Sequence, residues 1–147
     1  MQDLPHHYRV TATAEGAANV TLSAAGLPDL ETAGPPEFGG PGDVWSPETL
    51  LVAAVADCFI LSFRAIARTA KLDWISLSCD TEGELDKVDK LTQFTGFKVR
   101  ASLTIPADGN EKKAHTILEK AEKYCLITNS MKANSHLEAH VELLSNE

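Results

Sequence analysis

Residues 46–70 read SPETLLVAAVADCFILSFRAIARTA, and the rest of the chain is organised around them. Ser46 suits an N-cap, Pro47 is tolerated at the first helical position, and Glu48 favours the positive end of a helix dipole. Residues 49–70 lack Gly and are dense in Ala and Leu, which predicts one long helix. At a rise of ~1.5 Å per residue, roughly 24 residues span about 36 Å. From Leu50 to Phe63 the only polar side chains are Asp57, Cys58 and Ser62. Almost every face is therefore apolar and must be covered. A membrane span is disfavoured, because the apolar run falls short of the ~20 residues a bilayer needs, Asp57 interrupts it, and Arg64 and Arg68 follow. One domain of 147 residues has few other elements to wrap such a helix, so a partner subunit is expected to supply the missing cover.

Composition sets broad bounds. With 44% hydrophobic and 23% charged residues, the whole chain, 1–147, reads as one ordinary globular domain. A net charge of −8 leaves no basic stripe for phosphates and argues against nucleic acid. The N-terminal MQDLPHHYRV has no apolar signal core, which predicts a cytoplasmic protein. Three cysteines without a CxxC pair predict neither a disulfide framework nor a zinc site. No cofactor and no metal are expected.

The remaining elements fall in order around the helix. Residues 6–13 (HYRVTATA) and 19–24 (NVTLSA) alternate and flank a Gly-containing turn at 15–18, predicting a hairpin. Leu27 to Thr32 suggests a third short strand. Gly34 to Trp45, GPPEFGGPGDVW, is a long Gly- and Pro-rich loop. Trp74 to Leu85 alternates, with Ile75, Leu77 and Cys79 on one face. A charged turn at 86–90 leads to a second alternating run ending at Pro106, which makes a long hairpin. Asn110 caps a second helix from Glu111 to about Tyr124, with Ala114, Ile117, Leu118 and Ala121 at helical spacing. Cys125 closes it, LITNSMKAN is irregular, and residues 136–144 form a last strand. The order predicts an α+β fold with mainly antiparallel pairing.

Cysteine is the strongest nucleophile available. Burial in an apolar helix disfavours a thiolate, so a functional Cys58 needs a nearby cation or dipole. Taken alone, Cys58 reads more readily as a small core residue than as a functional thiol. Cys125 meets it only if the tertiary fold brings them together, as a redox pair or by coincidence. The alternation of Cys79 with Ile75 and Leu77 favours a core position. Ten residues separate Glu48 from Cys58, about 15 Å along a straight helix and on different faces. They share a site only through a bend or across subunits, and a first-turn carboxylate alone explains Glu48. His6, His7, His115, His136 and His140 show no metal-ligand spacing.

SPETLLVAAVADCF resembles the motif of the OsmC/Ohr family, the osmotically inducible and organic hydroperoxide resistance proteins. That motif runs Asn or Ser, Pro, Glu, then an Ala-rich apolar run ending in Ala-x-Cys-Phe. A second stretch, CLITNSMKAN, resembles the family's Cys-Pro-x-Ser motif with a later Asn, matched by Cys125 and Asn134; Leu126 and Thr128 replace its Pro and Ser. The resemblance implies an intertwined α+β homodimer, with antiparallel sheets around two long central helices and sites at the subunit interface. It implies a thiol peroxidase acting on small organic hydroperoxides, with Cys58 as peroxidatic thiolate, Cys125 as resolving thiol and Glu48 orienting the site. An outside dithiol, typically a lipoylated protein in the family, would be the reductant; neither nucleic acid nor membrane is an expected partner. The family's Ohr branch has an Arg near the first hairpin turn, whereas no Arg stands between Arg9 and Arg64 here, which implies a weak peroxidase. A competing expectation is a non-enzymatic dimer that binds an apolar ligand or senses oxidants through Cys58.

Overall fold

The computed structural model describes residues 1–145. The chain divides into two compact units, Met1–Leu50 and Leu51–Glu147. In the first, β1 (Thr11–Thr13), β2 (Val20–Ser23) and β3 (Leu30–Thr32) form an antiparallel meander in that order. Gly16 at φ 57 and the bond from Ala18 N–H to the Glu15 carbonyl, 3.1 Å, close the predicted first turn. β1 is shorter than its alternating sequence predicts, because only residues 11–13 find partners on β2. The Gly- and Pro-rich loop is pinched at its neck, where Thr32 bridges Trp45 and Ala33 N–H donates to the Trp45 carbonyl at 3.0 Å. Inside it, a Cβ at Gly40 would overlap the Gly34 carbonyl, so the close approach there requires glycine.

The long helix, α1, spans Pro47–Thr69. Its start is a reciprocal cap. Thr49 N–H donates to Ser46 Oγ at 3.1 Å, and Ser46 N–H donates to Thr49 Oγ1 at 2.9 Å. This is a capping box with Thr in the usual Glu or Gln position. At the other end Lys71 takes φ 56, and Leu72 N–H reaches back to the Ala67 carbonyl at 2.9 Å, a Schellman-type ending. By length and composition this helix could cross a membrane, so the sequence argument from a short apolar run does not hold. One face packs into the protein core, where Val55, Phe59, Phe63 and Ala67 are buried. Most of its other faces remain partly open, and Leu61 is 49% exposed.

In the second unit β4 (Ser76–Val88), β5 (Leu91–Ile105) and β6 (Asn134–Leu143) form one sheet in the order β4-β5-β6. β4 and β5 are an antiparallel hairpin with a bulge at Glu84/Leu85. Its strands run further than the charged 86–90 segment suggests, and the turn narrows to Asp89 and Lys90, with φ 50 and 70. Two successive left-handed residues match the twist of a tight hairpin, even without the usual Gly. α2 (Glu111–Lys123) starts at Asn110, whose Oδ1 accepts from Lys113 N–H at 3.0 Å. A short α3 (Leu126–Asn129) comes next. Because α2 and α3 carry the chain back across the sheet, β6 pairs with β5 in parallel, an exception to the antiparallel pairing of the other named strands among the described residues.

One face of this sheet is the core. Phe97, Val99, Ala101, Leu103 and Ile105 of β5 lie buried with the α1 residues above and with Ala114, Ile117, Leu118 and Ala121 of α2. The opposite face is charged. Arg100 lies within 3.4–3.6 Å of Asp80, Glu82 and Glu138, pairs too solvated to contribute much stability.

Candidate functional site

Cys58 lies midway along α1, half-buried. Its sulfur is 3.9 Å from Ser62 Oγ, one helical turn further on. Cys125 occupies the joint between α2 and α3, where it is the residue preceding the short helix and is only 2% exposed. Its carbonyl accepts from Thr128 Oγ1 at 3.1 Å and from Asn129 N–H at 3.0 Å, which fixes the joint. Cys58 lies close enough to Cys125 to influence its titration. Both are free thiols.

Electrostatics distinguish the buried partner. Burial pushes the Cys125 thiol above its ordinary range; hydrogen bonds from Thr128 oppose the shift, and the hydrogen bond and charge of Cys58 add to it. Thr128 also lines a cleft of about 590 Å³ with Glu119, Glu122, Asn129 and Ser135. Within it burial raises the Glu122 pKa, opposed by His136 and reinforced by Glu119.

The structure thus brings Cys58 and Cys125 together. Glu48 sits in the first turn of α1, in the first unit, and its Oε2 is a buried oxygen without a hydrogen-bond partner. A buried carboxylate oxygen left unpaired is costly, so Glu48 has unfilled capacity for a donor. His136 and His140 lie on the exposed face of β6, away from the thiols. Cys79 falls on the core side, as its alternation predicts. It sits half-buried on the core face of β4, its sulfur 3.2 Å from Thr81 Oγ1. Burial raises its pKa; Thr81 opposes that, while Asp80 and the nearby Cys125 reinforce it. Period-two alternation identifies its face but not its neighbour across the fold.

Fold and site together define an α+β protein in which a thiol on a long helix lies near a second, buried thiol. The family model for OsmC-like proteins matches residues 40–140, and the chain belongs to that family. It is 27% identical to the uncharacterised protein YmaD of Bacillus subtilis, covering 94% of this chain and 96% of that one. It is 30% identical to an organic hydroperoxide resistance protein of Xanthomonas axonopodis pv. citri, covering 87% of each chain. An OsmC-like protein of unknown function from Vibrio cholerae has the same fold, with a TM-score of 0.85 over 92% of this chain and 99% of that one, at 18% identity.

Proposed function

We propose that this chain is a thiol-dependent peroxidase that reduces small organic hydroperoxides, working as a cytoplasmic homodimer. The observation that carries the reading is the proximity of Cys58 to Cys125, close enough for one thiol to influence the titration of the other. Family membership and the relative named for organic hydroperoxide resistance support the choice of substrate. The Cys58 thiolate attacks the distal peroxide oxygen, the O–O bond breaks, the alcohol leaves, and Cys58 becomes a sulfenic acid. The Cys125 sulfur then attacks the Cys58 sulfur, water departs, and a disulfide forms. An external dithiol, such as a lipoylated protein, returns both thiols by exchange.

Homodimerisation accounts for two features of the single chain. The open apolar faces of α1 gain cover, and the unpartnered Glu48 Oε2 gains access to a donor from the second copy. In this reading Glu48 is a positioning residue, and the cation that stabilises the thiolate comes from Arg9 or from the partner subunit. The deciding experiment measures cumene hydroperoxide consumption with dihydrolipoamide present. Sustained consumption that disappears in Cys58→Ser is the expected result. No consumption above a protein-free control would refute the peroxidase and leave the oxidant-sensing dimer.

A further inference from the structure

Cys58 stands midway along α1, beyond the first and last turns where a helix end can stabilise a charge. On a helix, the residues that neighbour position 58 along its own face are those three and four away. They are Ala54, Val55, Leu61 and Ser62, so one polar side chain shares that face with the thiol. Helical side chains tilt toward the N-terminus, so the Ser62 hydroxyl leans back toward Cys58 rather than away. Its oxygen stands 3.9 Å from the sulfur, and both residues are half-buried. Ser62 also departs from the other helical hydroxyls. A Ser or Thr on a helix can bond back to the carbonyl four residues earlier. Thr69 does so to Ala65 at 3.3 Å, Thr116 to Lys112 at 3.1 Å and Ser130 to Leu126 at 2.7 Å. Among the described residues Ser62 makes no such bond, and the Cys58 sulfur is the partner its hydroxyl reaches.

We infer that Ser62 is a positioning residue, whose hydroxyl donates to the Cys58 sulfur and holds it as the thiolate that attacks. The inference deepens the peroxidase reading above and depends on it for the attack, though not for the bond. A neutral thiol and a hydroxyl can each donate to the other, whereas a thiolate only accepts, so ionisation fixes the direction. A hydrogen bond to the charged form of a group favours that form, and a bond to an ion is shorter and stronger than one between neutral groups. The separation of 3.9 Å leaves the hydroxyl room to draw in as charge appears on sulfur. Ser62 gives up no proton in this role. The donor lies on the same helix as the thiol, so every copy of the chain carries it, whatever a second subunit adds. Two titratable neighbours bear on the same sulfur. Asp57, adjacent on α1, is exposed, and Cys125 lies close from the α2–α3 joint, so Cys125 has to be removed before the effect of Ser62 is read.

Alkylation tests the bond without assuming peroxidase activity. Iodoacetamide is reacted with the full-length chain carrying Cys79→Ala and Cys125→Ala, so that Cys58 is the sole cysteine and no new hydroxyl replaces a removed thiol. Adding Ser62→Ala should slow the reaction about two- to tenfold near neutral pH, the effect of one net hydrogen bond. The gap should close at about pH 10, where both chains carry the thiolate. Ser62→Thr keeps a hydroxyl and should restore the neutral rate. The inference is overturned if Ser62→Ala reacts at the parent rate near neutral pH, or if Ser62→Thr behaves as Ser62→Ala does. It is equally overturned if Ser62→Ala is slower by the same factor at both pH values, as a change of access to the thiol would make it. Single-turnover consumption of cumene hydroperoxide by the same chains should fall by a similar factor in Ser62→Ala, and consumption unchanged by that substitution would overturn the role. The expected alkylation pattern without any consumption by the parent chain would refute the peroxidase reading and leave the bond from Ser62 standing.

Discussion

Cys58, midway along α1, lies close enough to Cys125, at the joint between α2 and α3, to help raise the pKa of that buried thiol. Segments far apart in sequence thus place two thiols near one another, one half-open and one buried.

That proximity predicts how Cys125 titrates. Burial is the largest cause of its raised pKa, and Cys58 adds to it. In a Cys79→Ser background, Cys58→Ala should move the Cys125 midpoint down, though not to the ordinary ~8.5 of a free thiol, because burial remains. Ultraviolet thiolate absorbance across pH reads this directly, and an upward move would contradict the assignment. The sign carries into stability. Cys79 and Cys125 both have raised folded-state values, so their contribution is intact below the unfolded thiol pKa and is lost as pH rises through the folded one. Urea midpoints should therefore fall above about pH 9, less steeply in Cys125→Ala.

The two cysteines should separate kinetically. Cys58→Ser removes the group that makes the first covalent bond, so single-turnover consumption should vanish. Cys125→Ser should retain that first turnover and lose dithiol-supported cycling by at least about tenfold. Stopped-flow measurement on both variants decides between them. Equal single-turnover rates for wild type and Cys58→Ser would remove Cys58 from its role.

Much of the fold was legible because its signals are local. The Ser46 cap, the apolar run of α1, the alternation along β4 and β5, and the Asn110 cap all act within a few residues, and the elements appear where those residues put them. The proximity of Cys58 to Cys125 could be anticipated only through resemblance, since no local pattern reports how α1 lies relative to the α2–α3 joint. Three features were hidden. The parallel placement of β6 depends on where α2 deposits the chain. The tight turn at Asp89 and Lys90 uses left-handed backbone without its customary residues. Cys79 declared its face by alternation, but its proximity to Cys125 belongs to the tertiary packing.

The open surface of α1 predicts assembly. Leu61 is 49% exposed in the single chain, so Leu61→Glu should cost little in the fold of one subunit and much in an interface that buries it. Sedimentation of the wild type at micromolar concentration should give about twice the 15.8 kDa of one chain. Leu61→Glu should shift it toward that single-chain mass, with the far-ultraviolet circular dichroism preserved. A wild type that sediments as a folded monomer would remove the dimer from the proposed function.

The contact that sets α1 on β4 can be tested by mutation. A Cβ at Gly83 would lie 2.9 Å from Val52 Cγ2 and from Phe94 Cε1, and 3.0 Å from Phe97 Cε1. Phe94 and Phe97 are stacked at 5.2 Å, so neither ring can withdraw without breaking that stack. Gly83→Ala should therefore overpack the site and destabilise the chain by ~1–3 kcal/mol. Val52→Ala removes one of the three obstructing groups and opens space at a half-buried position. Together the two changes should be less destabilising than their sum, by ~0.5–2 kcal/mol. Urea unfolding of the wild type, both single variants and the double variant gives the coupling directly. Additivity within a few tenths of a kcal/mol would mean that the strand and helix do not meet at these residues.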